Sequence, residues 1–270
     1  MAFAAAALRA TDGRCRRVRV PLGDGALTTV YVAAYDAART EIRVAVLRGR
    51  RLASWCAAHG VGEALVGGFF VRPAKRPPSE RAAGGRTDWW PLGEVRTAGV
   101  ARRHVPFDAP WDTVRACVHV QGGHATIARR HLLPAAPRGD LLQAGPLLVS
   151  GGEPVFDPDA DAEGFRAGAH QFDPDITAGR HPRAALGLAP GRILAVATDG
   201  RANDDAGLTL TELATAMAAL GCEAALNLDG GGSTTLISGG RLRNRPRGDY
   251  ELPEPGGRPL STALLFVPRG

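Results

Sequence analysis

The sequence predicts an α/β (mixed α+β) fold: a single domain around a twisted mixed sheet, with a strand-helix-strand unit near the C-terminus. Short β-branched runs recur, such as Thr28 to Ala34 (TTVYVAA) and Glu41 to Leu47 (EIRVAVL). One well-marked amphipathic helix, Thr209 to Gly221, lies between two apolar runs in the C-terminal third. The chain also carries 35 Gly and 20 Pro in 270 residues, which calls for many turns.

In chain order, residues 17–48 hold the two strands just named. Arg51 to His59 reads as a short helix closed by Gly60. Ala64 to Val71 (ALVGGFFV) is a strand interrupted by a Gly pair. Residues 72–90 form a long Pro/Gly/Arg-rich loop, a type that often walls a functional site. Strand-like pieces follow at Val114 to Val120 and Leu147 to Val149, and residues 151–180 are again loop-rich. Arg192 to Thr198 (RILAVAT) is a strand ended by the turn Asp199-Gly200-Arg201.

Thr209-Leu210-Thr211-Glu212 is a capping box, in which the Thr209 hydroxyl accepts from the Glu212 N–H and Glu212 reaches back. Leu210, Leu213, Ala214, Met217 and Leu220 then recur at helical spacing, and Gly221 ends the helix. Ala224 to Leu228 is a buried strand. If this strand and Arg192–Thr198 are parallel neighbours joined by the helix, Asp199 and Asp229 share one edge of the sheet. Ligands bind at such edges.

Bulk properties exclude several classes. Apolar content of 44% and charged content of 22% are globular values. The net charge is +6, and all basic residues except Lys75 are arginines, so the field draws in anions. No dense basic tract interleaves with aromatics, which make up 6%, and nucleic acid is not expected as a partner. No apolar run approaches the ~20 residues of a membrane span. The N-terminal Ala-rich run lacks a basic n-region and is too short for a signal-peptide core, so a cytoplasmic protein is expected. Cys15, Cys56, Cys117 and Cys222 form no CxxC pair or metal knuckle and are expected as reduced thiols. Asp157 to Glu163 resembles the start of a calcium loop, but Ala162 stands where Gly is needed and Gly168 where a bidentate Glu is needed. Neither metal nor cofactor is expected.

The most informative stretch is Ala224 to Leu236, AALNLDGGGSTTL. Strand alternation puts Asn227 and Asp229 on one side and Leu228 on the other. Gly230, Gly231 and Gly232 follow, where successive N–H groups can form an anion-binding nest, and Ser233 adds a hydroxyl. The set suits a phosphate. It is not a P-loop, because no Lys or helix follows, nor a nucleophile elbow, because Ser233 is followed by Thr234-Thr235-Leu236.

These residues resemble the phosphodiester glycosidase family. Asn227 to Leu236 is similar to its signature. In order along the chain, Gly67-Gly68-Phe69-Phe70, Gln143 to Val149, His181 to Gly187, Asp199-Gly200-Arg201, Asn244-Arg245-Pro246 and the closing strand Ala263 to Val267 resemble further segments. Residues 60–268 are expected to form the phosphodiester glycosidase-like domain, to which residues 1–59 add N-terminal strands and a helix. Val66 stands where the family usually has Asn, and Ala184 where it has Thr.

The resemblance implies hydrolysis of a sugar-1-phosphodiester to free sugar and phosphomonoester. Asp229 and Asp199 are the implied carboxylates, with Asn227 positioning the sugar or the loop. The amides of Gly230 to Gly232, with Ser233, Thr234 and Arg183, hold the phosphate. Arg201 orients Asp199 or touches phosphate, His181 is an acid or a loop residue, and Gly67, Gly68 and Phe69 join the binding residues. The partner is a small phosphorylated sugar. The alternative is a domain that binds a phosphorylated sugar or nucleotide without cleaving it.

Overall fold

The computed structural model describes residues 15–71, 89–166, 177, 179–248 and 252–269. Most of the 72–90 loop, part of the 151–180 loop and the Ala-rich N-terminal run lie outside the described residues.

From the N-terminus, β1 (Arg16–Pro21), β2 (Leu27–Asp36) and β3 (Thr40–Arg51) lead into α1 (Leu52–His59). Then come β4 (Ala64–Val66), β5 (Phe70–Val71), β6 (Trp90–Pro91), β7 (Val95–Thr97), β8 (Val100–Ala101) and α2 (Trp111–Val114). The middle holds β9 (Ala116–Gln121), β10 (His124–Arg129), β11 (Asp140–Gln143), β12 (Leu147–Ser150) and β13 (Glu153–Pro154). The last third holds β14 (Ala184–Ala189), β15 (Arg192–Thr198), α3 (Leu210–Ala219), β16 (Ala224–Asn227), β17 (Leu236–Ser238), β18 (Arg241–Leu242) and β19 (Pro259–Pro268).

The strands form a seven-stranded sheet ordered β1-β2-β15-β14-β16-β12-β13 and two five-stranded sheets, β10-β9-β11-β7-β8 and β18-β17-β4-β19-β3, with a small β5-β6 pair. Neighbouring strands in all of them are antiparallel. Because β2 pairs with β15 and β3 with β19, the first strands are built into two sheets at once.

The seven-stranded sheet is covered on both faces, so its central strands are apolar almost without break. Tyr31, Ala33 and Tyr35 of β2 and Ile193, Ala195 and Ala197 of β15 face one core. Val30, Val32 and Ala34 with Leu194 and Val196 face the other, against Leu210, Leu213 and Met217 of α3. Each large aliphatic side chain buried in this way contributes about 1.5–3 kcal/mol. Helix α3 starts at the expected capping box, with Thr209 Oγ1 accepting from Glu212 N at 3.1 Å and Glu212 Oε2 accepting from Thr209 N at 2.9 Å. It ends at Gly221 (φ 82°), where Cys222 N donates back to Met217 O at 3.2 Å.

Two expectations change. Residues 17–48 form three strands: β1 alternates Arg and Val and pairs with β2 as an edge hairpin. The strand-helix-strand unit is present, but β15 and β16 are not neighbours. Strand β14 hydrogen-bonds to both and runs against both, so β15 and β16 point the same way one strand apart. The β14-β15 hairpin forms first along the chain, and α3 then carries the backbone across to the far side of β14. Among the described residues no helix is long and apolar enough to cross a membrane.

Candidate active site

The interposed β14 brings three chain segments to one sheet end. β15 ends at Thr198, β16 ends at Asn227, and β14 begins at Ala184 between them. Arg183 is locked there by its backbone: its N donates to Thr198 Oγ1 at 2.9 Å, and Thr198 N donates to Arg183 O at 2.8 Å. On the other side Leu228 N donates to Ala184 O at 2.9 Å. Asp229 follows, part-exposed, with its N–H on Gly67 O at 3.0 Å. Gly67 N in turn donates to Thr262 O at 3.1 Å, and Gly68 N donates to Thr262 Oγ1 at 3.1 Å. A side chain at Gly67 would collide with Thr262, so the Gly pair lets β4 reach β19 while it holds Asp229.

The triple glycine folds as one turn of 3₁₀ helix over Gly231–Ser233. Gly231 needs its freedom, since its φ is 58°. Gly232 needs its lack of a side chain, because a Cβ there would coincide with the Arg258 guanidinium. At Gly231 a Cβ would come within 3.3 Å of Arg201 Nη2. The loop is therefore flanked by two guanidinium groups. Arg201 itself holds a left-handed conformation (φ 55°), rare for a residue with a side chain. Arg258 forms an ion pair with Glu254 at 3.1 Å.

The amide nest is smaller than the sequence implies. Gly231 N donates to Pro182 O at 2.7 Å, Ser233 N to Gly230 O at 3.1 Å and Thr234 N to Gly231 O at 3.2 Å. Among the described residues no carbonyl accepts from the amides of Gly230 or Gly232. Ser233 and Thr234 are buried beneath the turn, and Asn244 clamps the chain behind them, accepting from Leu236 N and donating to Thr234 O.

The remaining residues separate into distinct roles. Asp199 is 2% exposed and fully engaged: Oδ1 accepts from Arg245 N at 2.6 Å, and Oδ2 accepts from Tyr31 Oη at 2.9 Å and Arg245 Nε at 3.1 Å. Burial, then the Asp199 carboxylate, pushes the Tyr31 hydroxyl up to about 12, so it stays a donor. The hydrogen bond to Asp199 keeps Arg245 firmly charged. Arg245 also pairs with Asp205, whose other oxygen accepts from Arg19 at 2.9 Å. Arg183 is buried, with Nε on Leu208 O at 3.0 Å and Nη2 on Gly179 O at 2.9 Å, and its stem passes beneath Gly230.

Asn227 is buried and grips the Gly145-Pro146 step: Nδ2 donates to Gly145 O at 2.9 Å, and Asn227 N donates to Pro146 O at 3.0 Å. Its Oδ1 accepts from no group among the described residues. His181 exchanges backbone hydrogen bonds with Leu208, and its ring lies against Gly179. Phe69 is buried in a small core with Leu92, Phe107 and Phe165. Val66, at the position of the family's Asn, is wholly buried in the main core.

Sequence reasoning did not single out Arg258, Arg245 or Tyr31 for the site. Arg245 lies in a segment that resembles the family. Arg258 carries no local signal, since only the folded chain sets it on Gly232. No group of three or more potential metal ligands occurs among the described residues.

Residues 59–267 match the family model described as phosphodiester glycosidase. Solved structures share the fold, among them these three. The catalytic domain of zebrafish N-acetylglucosamine-1-phosphodiester alpha-N-acetylglucosaminidase, auto-inhibited by its pro-peptide, aligns with a TM-score of 0.63 at 15% identity, over 96% of this chain and 83% of that one. A Burkholderia pseudomallei K96243 protein, described as exported, gives 0.63 at 18%, over 90% and 74%. A hypothetical protein from Synechocystis gives 0.59 at 17%, and this chain covers 62% of its length while 94% of this chain is matched. No match to this sequence is found among curated proteins.

Proposed function

This chain belongs to the phosphodiester glycosidase family, and on that footing we propose that it hydrolyses a sugar-1-phosphodiester to a free sugar and a phosphomonoester. The observation that carries the reading is the glycine turn between Arg201 and Arg258, at the sheet end where Asp229 emerges. The two guanidinium groups and the amides of Gly230 and Gly232 hold the phosphate. Fixed donors of this kind stabilise charge that develops as a bond breaks. Arg183, buried below, adds positive potential without direct contact.

In the reaction, water attacks the anomeric carbon, the C1–O bond to phosphate breaks, and the phosphomonoester departs with the bonding electrons. Phosphate is a good leaving group, so little general-acid assistance is required. Asp229 is the carboxylate that accepts the proton of the attacking water or stabilises the oxocarbenium centre. Asp199 is a positioning residue: through Tyr31 and Arg245 it fixes the 199–201 turn, and so aims Arg201. Asn227 supports the Gly145-Pro146 step and offers Oδ1 to a sugar hydroxyl.

The test is Asp229→Asn assayed on a p-nitrophenyl glycosyl phosphate, reading release of p-nitrophenyl phosphate. Turnover should fall by at least about a hundredfold, a loss of roughly 2.7 kcal/mol, with the melting temperature unchanged. Near-normal turnover removes Asp229 from the mechanism. Val66 supports a second reading, a binder that does not cleave, because an apolar core residue stands where the family has an amide. Calorimetry separates the two: saturable heat without product favours the binder.

A further inference from the structure

A groove of about 1200 Å³ runs along β3, and no residue of the glycine turn lines it. Its width is fixed by Asp140, whose Oδ2 accepts from Val44 N at 2.8 Å on one wall and whose Oδ1 accepts from Ala98 N at 2.6 Å on the other. That carboxylate faces backbone donors and serves as a strut.

Three cations, Arg48, Arg102 and Arg103, line the groove without an acidic partner among the described residues, and Arg102 Nε donates to Thr97 Oγ1. Arg48 sits in a bulge of β3, where pairing with β19 slips between Leu260 and Thr262. Its φ of 53° is unusual for a residue with a side chain, and bulges re-aim side chains. The next residue, Gly49 (φ 79°), leaves room for the Trp89 indole, which lies where a Cβ would be. The Arg103 guanidinium rests 3.7 Å from the centre of the Trp90 ring. A third indole, Trp55, is backed by His59, stacked at 4.0 Å. Each indole is packed against a glycine, a cation or a ring, and each lines the groove.

Indole faces pack against the apolar C–H faces of pyranose rings. Guanidinium groups bind carboxylate or phosphate through a planar fork. We propose that this groove binds an acidic glycan, a sugar chain carrying anionic groups, at a site separate from the glycine turn. Aromatic residues with arginines can also hold single-stranded nucleic acid. A sugar chain is favoured because the family acts on sugars and because the sequence lacks a dense basic tract. Binding here does not depend on the hydrolytic reading.

The probe is a fluorescent decagalacturonate titrated with the full chain, beside neutral maltodecaose and a dT10 oligonucleotide. Decagalacturonate should bind, and more weakly in high salt, whereas maltodecaose should bind at least about tenfold more weakly. Arg48→Glu with Arg103→Glu, both exposed changes, should weaken binding by about tenfold or more. Trp90→Ala should weaken it too, with Trp90→Phe recovering most of the loss. Asp229→Asn should bind normally, which separates this site from the proposed reaction. The inference is overturned by absent binding, by unchanged binding in the charge-reversed variant, by equal affinity for maltodecaose, or by tighter binding of dT10.

Discussion

Asp199→Asn discriminates between a reacting carboxylate and a positioning one. The substitution is nearly isosteric. With Oδ1 still accepting from Arg245 N, the new amide replaces Oδ2, which accepts from Tyr31 Oη and Arg245 Nε. The Tyr31 hydroxyl can turn and accept instead. Arg245 Nε cannot, so one charge-assisted hydrogen bond at 3.1 Å becomes donor against donor. Such a bond contributes about 1.5–3 kcal/mol. The Arg245 side chain is 47% exposed, and water screens part of that loss. A cost of about 2 kcal/mol remains, which for a chain of this size lowers the melting temperature by about 4–8 °C. The assay pairs differential scanning calorimetry with turnover of the nitrophenyl substrate at a temperature where both forms are folded. The expected outcome is a clear drop in melting temperature with turnover reduced less than about tenfold, a small effect beside that of Asp229→Asn. A variant that melts normally yet has lost turnover would place Asp199 among the reacting groups and refute this division of roles.

Gly232→Ala should force Arg258 off the turn and cost about tenfold or more in kcat/KM, a loss of at least ~1.4 kcal/mol. In an Arg258→Ala background the same change should add less than about twofold, and equal costs in both backgrounds would sink the close-approach argument. Glu212 is shifted up by burial but further down by Arg180 and the Thr209 amide, leaving it below its ordinary value of 4.5. Its contribution to stability is thus present above 4.5 and lost as pH falls through the lower folded value. Denaturation curves for Glu212→Gln should show a flatter acid limb than the parent, and identical slopes would refute it. Burial pushes the thiols of Cys117 and Cys222 to about 12 and that of Cys56 to about 11. A disulfide reagent at pH 8 should leave all three unmodified until urea unfolds the chain.

Local signals were legible and long-range ones were not. The capping box at Thr209, the span of β15 and the end of α3 at Gly221 depend on neighbours a few residues away, and each forms as read. Strand β14 reads AALGLA, with little β-branched character, so nothing marked it as the strand that separates β15 from β16. The glycine run folds as a more closed turn than an open amide nest. One amide was taken by Pro182, and the crowding that forbids side chains comes from Arg201 and Arg258. Asp199 looked like a free carboxylate at a strand end because the groups that occupy it, Tyr31 and Arg245, lie 168 and 46 residues away in sequence.

The pairing of β19 with β3 has a consequence for synthesis. β19 supplies Thr262 under Gly67, follows directly on Arg258, and zips against a strand made more than two hundred residues earlier. A chain emerging from the ribosome therefore waits, with an apolar edge uncovered, until its closing ten-residue strand arrives. The glycine turn gains its second arginine, Arg258, only with that last segment.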